Sequence, residues 1–214
     1  MKTTLIILLS ITCWFFSAII NPVNAQTVNI GKQVWMTQNL NVTQYRNGDP
    51  IPEVENDKEW NKTTTGAWCF YENAGENGTT YGILYNWYAV HDKRGIAPAG
   101  FHIPSDGELT TLINYLGGEK KAGGKLKEEG TKHWKKPNVK ATNSNGFSAL
   151  PAGSRNNDGS FSNISSTTFW TSTESTEAKA WCYYISFDWG NVIRTSKLKN
   201  NGFSVRCIQD KPTK

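Results

Sequence analysis

The middle of the chain, from Ala122 to Thr168, is rich in Gly, Asn, Ser and Lys and shows no hydrophobic period. A loop region of roughly 45 residues is uncommon inside a compact domain, and it is usually functional or packed against itself. The chain has 214 residues, with 9 Trp and 19 Gly. Aromatic residues among many turn-forming residues favour short strands and loops over a helical bundle. The sequence therefore predicts one loop-rich α+β domain.

Composition and charge exclude several classes of protein. The chain is 37% hydrophobic and 19% charged, which excludes global disorder, collagen and a coiled coil. Its net charge of +5 comes from 23 basic and 18 acidic residues spread along the chain. So small and diffuse an excess gives no indication of nucleic-acid binding.

The first 25 residues have the pattern of an export signal. Lys2 precedes an apolar run over residues 5–20, Pro22 breaks it, and Ala25 ends a motif that signal peptidases recognise. We expect cleavage between Ala25 and Gln26. An uncleaved membrane anchor is the alternative, but a run of roughly 16 residues is shorter than the ~20 that a spanning helix needs. We therefore expect a secreted or outer-surface protein with no membrane span after cleavage.

The remaining chain shows no linker and no internal repeat. We divide it into a signal peptide at 1–25, one domain at 27–209 and a tail at 210–214.

The sequence of the first part of the domain predicts short strands, loops and one helix. Alternation around a glycine predicts a hairpin over 28–36, and an aromatic run predicts a buried strand over 67–71. Polar residues predict loops over 37–62 and 73–80. Apolar residues at helical spacing predict a helix over 81–90, the residues being Tyr81, Leu84, Tyr85 and Tyr88.

A second helix has the clearest local signal. Ser105 and Glu108 form an S-x-x-E capping box, and Gly117-Gly118 follows the last apolar position. The apolar face between them consists of Leu109, Leu112, Ile113 and Leu116.

The C-terminal part predicts a three-stranded meander. Its strands are 180–188, 192–198 and 203–208, separated by turns at Gly190-Asn191 and at Asn200-Asn201-Gly202.

Three cysteines follow the signal, namely Cys69, Cys182 and Cys207. In an oxidising compartment they predict one disulfide and one free thiol. Their wide spacing does not form a zinc-ligand cluster. The predicted meander separates Cys182 from Cys207 by more than the ~7 Å that a disulfide allows between Cα atoms.

Seven ordered segments together resemble one family, the Fibrobacter succinogenes major paralogous domain, whose members are exported bacterial domains abundant in Fibrobacteres and Bacteroidetes. The segments are IGxQVWMTxNL at 30–40, YGxLYNWYA at 81–89, GFHxPS at 100–105, AGGKLK at 122–127, GFSALPAG at 146–153, FWxSTE at 169–174 and GFSVRC at 202–207.

The resemblance implies a fold similar to C-type lectins and to the formylglycine-generating enzyme. That fold has two helices packed on a small mixed or antiparallel sheet, with long loops. It also implies adhesion or binding at the cell surface, and a disulfide between Cys69 and Cys207, which lie in shared motifs, with Cys182 a free, buried thiol. The chain departs from the family at Ala97, where many relatives have Cys, and at Phe101, where Trp is more usual.

Catalytic and metal chemistry find little support in the sequence. The histidines, His91, His102 and His133, are not clustered, and the close cysteine pair of a formylglycine-generating enzyme is missing, since Cys182 and Cys207 are 25 residues apart. The turn at 156–160 has too few carboxylates for calcium, and Lys136 replaces the acid of a lectin Glu-Pro-Asn triplet. We therefore expect no enzymatic activity, no cofactor and no bound metal.

Binding through the long loops is the remaining hypothesis, because loops on a rigid scaffold commonly carry recognition. The expected partner is an extracellular glycan or a cell-surface protein. The alternative is a structural module of a surface assembly without a separable ligand, with an oxidase related to the formylglycine-generating enzyme a distant third. The expected ligand-binding residues are Trp134, Arg155, Asn157, Asp158 and Phe161, with Tyr183 and Trp189 as a second choice.

Overall fold

A computed structural model of the chain describes residues 25–211. The predicted signal peptide therefore lies outside the described residues, except for Ala25. Within the described range, no helix is long and apolar enough to span a membrane. Residues 25–211 form five α-helices: α1 (Asp57–Lys62), α2 (Gly75–Tyr81), α3 (Trp87–Val90), α4 (Asp106–Tyr115) and α5 (Glu119–Leu126). The strands are β1 (Thr27–Ile30), β2 (Gln33–Met36), β3 (Trp68–Cys69), β4 (Leu84–Tyr85), β5 (Phe101–His102), β6 (Ser166–Thr176), β7 (Lys179–Ser186), β8 (Val192–Leu198) and β9 (Ile208–Gln209).

The strands form three small antiparallel sheets. One has four strands in the order β1-β2-β9-β5, a second pairs β3 with β4, and the third has the order β6-β7-β8. The mixture of helices and antiparallel sheets confirms the expected α+β class. The described part of the chain has five helices rather than two, because α1, α2 and α5 form in segments that the sequence did not predict to be helical.

Two sequence predictions are confirmed in detail. The hairpin β1–β2 turns at Gly31, whose φ of +63° lies in the left-handed region that favours glycine. Helix α4 begins after Ser105 with both hydrogen bonds of the capping box. It ends at Tyr115, with Leu116 as the C-cap, followed by Gly117 and Gly118 with positive φ.

The helix predicted over 81–90 is confirmed only over its last four residues, where α3 spans Trp87–Val90. Gly82 has a φ of +78° and separates α2 from β4, so Leu84 and Tyr85 pair with Cys69 and Trp68 instead of continuing a helix. The loop predictions for 37–62 and 73–80 each miss a helix, α1 and most of α2. The buried strand expected over 67–71 is present, but it is confined to β3.

The C-terminal meander is correct in two strands and wrong in the third. Strands β7 and β8 pair around the predicted turn, and the third strand of their sheet is β6, which precedes them. The segment 202–209 does not join this sheet as a strand. It makes single bridges to Tyr85 and Phe169 and then becomes β9 between β2 and β5.

The predicted Cys69–Cys207 disulfide is not formed. All three cysteines of the described range are buried and unpaired, as was expected for Cys182 alone. Cys69 lies on β3 in a small apolar cluster with Trp60 and Leu84. Cys207 belongs to the larger cluster around Tyr85 and Trp170, and therefore the two sulfur atoms lie in different parts of the core.

The long loop is real but shorter than predicted. Helix α5 occupies its first residues and β6 its last, which leaves residues 127–165 between them. Isolated bridges hold this loop to itself and to the rest of the domain, at Lys127–Ala149, Arg155–Phe161 and Arg155–Gly202. It is internally packed, as expected of a long loop in a compact domain.

Candidate functional site

The loop 127–165 is attached to the sheet β6-β7-β8 by a buried lysine. The ammonium of Lys127 donates to the carbonyl oxygens of Val139 (2.9 Å), Ser186 (2.9 Å) and Trp189 (2.8 Å). Burial lowers the pKa of Lys127 to about 8. The three acceptors belong to the loop, to the end of β7 and to the turn before β8, so one side chain fixes these segments relative to each other.

Trp134, the first of the expected binding residues, is part of the core. Only 2% of it is exposed, and its indole N–H donates to the carbonyl of Ala149 at 2.8 Å. Asn138, in the Lys-Pro-Asn segment, is also buried and donates to the carbonyls of Glu128 and Gly130. These side chains hold the loop together and do not face solvent.

Arg155 is fully buried, contrary to the surface position that binding requires. Its guanidinium lies between the rings of Trp60 and Phe161, at 4.6 and 4.9 Å from their centroids. It donates to the carbonyl oxygens of Gly159, Val54 and Glu55 and pairs with Asp57 at 2.9 Å. Arg155 therefore fastens the loop to the start of α1.

The turn that Arg155 supports presents the polar residues of the prediction. Asn157 accepts hydrogen bonds on its carbonyl from the side chains of Asn61 and Asn200. Asp158 is exposed and accepts from both the amide and the hydroxyl of Ser160. The Ser160 hydroxyl is the main cause of the lowered pKa of Asp158. The structure thus brings Arg155, Asn157, Asp158 and Phe161 together in one turn, which hydrogen bonds from Arg155 and Ser160 hold in place.

The second-choice residues lie on another part of the surface. Tyr183 is buried on β7, and its hydroxyl is within 2.8 Å of Thr110 and 2.9 Å of Asp106. Burial is the main cause that raises the pKa of Tyr183 to about 12. Trp189, by contrast, is 44% exposed, and its ring lies 6.3 Å from that of the half-buried Tyr184.

Tyr184 lines a cleft between the long loop and the sheet, which we call the polar cleft. Its volume is about 270 Å³. The lining residues are Ser154, Asn156, Ser162, Asn163, Ser165, Ser166, Thr168, Tyr184, Lys197, Asn201 and Phe203.

The chemistry of the polar cleft suits a neutral polar ligand. Hydroxyl and amide side chains supply both donors and acceptors, Tyr184 supplies an aromatic surface, and Lys197 is the single cation. None of the described residues that line it is a carboxylate. Sugars combine hydroxyl groups with an apolar ring face, and aromatic side chains with a polar tip suit such a surface. The donors, acceptors and aromatic surface that such a ligand needs are therefore present in the cleft, and Trp189 stands beside Tyr184.

Sequence reasoning named residues adjacent to this cleft and none of the residues that line it. It named Asn157 and Phe161, whereas Asn156 and Ser162 line the cleft. It named Tyr183, whereas Tyr184 is the tyrosine at the surface. Side chains alternate between the two faces of a strand, so the apolar residues Ala180 and Cys182 would predict that Tyr183 faces solvent. That prediction would be wrong, because residues 182 and 183 are both buried.

The described residues contain no cluster of three or more His, Cys, Asp or Glu side chains that could hold a metal ion. His102 lies between Glu108 (3.0 Å) and Asp210 (2.7 Å) in a partly exposed position. Burial acts to lower its pKa, but the hydrogen bonds to the two carboxylates outweigh that effect and raise it. These contacts join β5 to α4 and the end of β9.

Comparison with curated proteins and with solved structures finds no match for this chain. A family model, that of the Fibrobacter succinogenes major domain, matches residues 28–209, which include every helix and nearly every strand residue described above. Since this match spans more than half of the chain, the protein belongs to the Fibrobacter succinogenes major domain family.

Proposed function

We propose that this protein is an exported or cell-surface recognition domain of bacterial origin that binds a glycan in the polar cleft. It acts by binding and not by catalysis. The proposal includes cleavage after Ala25 and a C-type lectin-like arrangement, in which α4 and α5 with the small sheets form the base and residues 127–165 form the recognition loop. The family membership and the predicted export signal support it.

The observation that carries the proposal is the pairing of an aromatic surface with a cleft of hydroxyl and amide groups. Tyr184 belongs to the lining, and the exposed Trp189 stands beside it. Ligand sites combine apolar or aromatic surface with a few polar groups that fix orientation. Exposed aromatic side chains are uncommon. Among the described residues, the large apolar side chains exposed to solvent are Tyr115, Trp189 and Leu198, and two of these are aromatic.

The proposal is tested on a glycan array with the purified protein and with Tyr184→Ala and Trp189→Ala. We expect the unmodified protein to bind at least one class of neutral glycan, and each variant to lose at least about tenfold in affinity with little change in thermal midpoint. Tenfold corresponds to ~1.4 kcal/mol, within the range measured for aromatic contacts. Tyr115→Ala is the matched control, because Tyr115 is 65% exposed on α4 and is not among the cleft residues.

Three results would contradict the proposal: no binding by the unmodified protein, equal losses in Tyr115→Ala, or binding that survives both cleft variants. Absence of glycan binding together with capture of a surface protein from the native cell envelope would favour a protein partner, and absence of both would favour the structural-module alternative.

A further inference from the structure

A second pocket of the molecule lies around Arg206. Its volume is about 150 Å³, and we call it the Arg206 pocket. It shares no lining residue with the polar cleft. The lining residues are Thr37, Gln38, Asn39, Asn41, Gly78, Thr79, Thr80, Gly82, Ser148, Leu150 and Arg206.

Arg206 is a buried cation without a buried anion. Only 2% of the residue is exposed, and none of the ion pairs among the described residues includes it. Arg155, the other fully buried arginine, differs because it pairs with Asp57. A buried charge is costly unless it is paired. The guanidinium of Arg206 lies 4.5 and 5.6 Å from the ring centroids of Phe147 and Phe169, which offset part of that cost, but no anion among the described residues pairs with it. Burial accordingly lowers the pKa of Arg206 to about 9.

The guanidinium is held in place by neutral acceptors. Its Nε and Nη2 both donate to Oδ1 of Asn39, at 3.1 and 2.7 Å, and Nη1 donates to the carbonyls of Met36 and Phe147. Four of the five N–H groups are thus used, and one on Nη2 remains for a further acceptor. Arg206 is therefore fixed rigidly and still able to donate.

The remaining walls offer hydrogen-bond donors and no competing carboxylate. Thr79 and Thr80 are exposed at the end of α2, and their hydroxyls make no hydrogen bond to other described residues. Ser148 has a φ of +54°, a conformation unfavourable for a residue other than glycine, and Asn143 bonds to both its amide and its hydroxyl. Strain of this kind persists where the surroundings enforce it and is frequent at ligand sites.

Four of the seven segments that carry the family resemblance meet in this pocket. Segment 30–40 supplies Thr37 and Asn39, segment 81–89 supplies Gly82, segment 146–153 supplies Ser148 and Leu150, and segment 202–207 supplies Arg206. They are far apart in sequence and come together only in the fold.

We propose that the Arg206 pocket binds a carboxylate, either of a small organic acid or at the end of an acidic saccharide. One guanidinium balances one negative charge, so a monoanion leaves the buried site neutral, whereas a doubly charged oxyanion leaves an excess. The size agrees, because a cavity of ~150 Å³ holds a molecule as large as benzene. The donors around Arg206 then complete the hydrogen bonding of the carboxylate oxygens.

Calorimetric titration of the purified protein with acetate, glucuronate, glucose and sulfate tests this assignment. We expect acetate or glucuronate to bind saturably, with glucose, the neutral counterpart of glucuronate, at least tenfold weaker. Binding of acetate alone assigns the pocket to free small acids, and binding of glucuronate assigns it to acidic sugars. Sulfate binding tighter than either carboxylate, equal binding of glucose, or no binding at all overturns the proposal.

Two variants locate the site. Arg206→Lys should weaken carboxylate binding at least tenfold, whereas Arg155→Lys, the matched buried-arginine control, should leave it unchanged. If Arg206→Lys does not fold, Ser148→Gly gives a second test, since glycine accepts the positive φ and lacks the CH2OH side chain that carries the donor. A purely structural Ser148 would leave the affinity for carboxylates unaltered in this variant. We expect that affinity to fall severalfold while the thermal midpoint stays the same or rises.

Unchanged carboxylate affinity in both Ser148→Gly and a Thr79→Val/Thr80→Val double variant would overturn the assignment. The glycan proposal is unaffected by either result, because the two sites share no residues.

Discussion

Three buried cations take the place of regular hydrogen bonding in the irregular parts of this molecule. Lys127, Arg155 and Arg206 all donate to backbone carbonyl oxygens of loops. A loop without strands or helices leaves its carbonyl groups without intrinsic partners, and buried carbonyl groups need partners. A long basic side chain with several donors can satisfy two or three of them from one position. Residues of this kind therefore define the shape of residues 127–165.

Lys127→Met should lower the free energy of unfolding by about 2–4 kcal/mol, because three buried carbonyls lose their donor while the apolar stem of the side chain is kept. Urea denaturation followed by tryptophan fluorescence measures this change. Lys121→Met is the matched control, since Lys121 is exposed on α5 and a substitution there is expected to stay within about 0.5 kcal/mol. A loss in Lys127→Met no larger than in the control would show that these carbonyls find other partners.

Helix α5 depends on two glycines for its close contact with neighbouring backbone. A Cβ on Gly123 would lie 2.2 Å from the carbonyl oxygen of Asn191, and one on Gly124 would lie 2.2 Å from that of Lys140. The amide of Gly124 donates to the carbonyl of Gly190, which ties the helix to the β7–β8 turn. Glycine lowers helix stability by about 1 kcal/mol relative to alanine, so close approach is the reason for its presence here.

Gly123→Ala should therefore destabilise the protein by about 1–3 kcal/mol, although alanine is the better helix former. Gly107→Ala is the control on α4, where the added Cβ has 4.0 Å to its nearest neighbour, Ser105 Oγ. That variant should be neutral or more stable by up to about 1 kcal/mol. Thermal unfolding of the two variants side by side measures the difference, and the same sign in both would refute the explanation from close packing.

Elements with a complete local signal could be predicted from the sequence. The hairpin around Gly31, the capping box at Ser105 and the strands on either side of Gly190-Asn191 each carry their own turn or cap chemistry. The helix predicted over 81–90 failed at residues 82–86, because tertiary pairing with β3 overrides the helical spacing there and Gly82 interrupts it. Helix α1 has an N-cap at Asn56, but its six residues bury only Trp60, too little for an apolar period to be visible.

The site was predicted less well than the fold, for a physical reason. Aromatic and basic residues in a loop are suitable both for binding and for packing, and composition alone does not separate these roles. Trp134 and Arg155 became core residues because an internally packed loop needs large side chains of its own. The lining of the polar cleft comes from small Ser and Asn residues, which carry no distinctive pattern in one sequence.

At the scale of the whole molecule, the segment 202–209 connects the three sheets. It bridges Tyr85 of the β3–β4 pair, then Phe169 of the β6-β7-β8 sheet, and ends as β9 within the four-stranded sheet. Val205 and Cys207 are fully buried along this path. A segment that contacts all three sheets couples their unfolding, so we expect a single cooperative transition.

The three cysteines allow this cooperativity to be measured. Cys69 lies in the small cluster near α1, and Cys182 and Cys207 lie in the large cluster, so together they report on separate parts of the core. Burial is the main cause that raises the pKa of each thiol to about 12, so at pH 8 almost no thiolate exists in the folded protein. Alkylation should therefore require unfolding.

We expect pulse alkylation across a urea series, read out by peptide mass spectrometry, to label all three sites with the same midpoint. That midpoint should coincide with the loss of tryptophan fluorescence, and native protein should remain unlabelled. Earlier labelling of Cys69 would mean that the β3–β4 region unfolds as a separate unit, despite its bridge to segment 202–209. A Cys69–Cys207 linked peptide in unreduced protein would contradict the separation of these residues in the core.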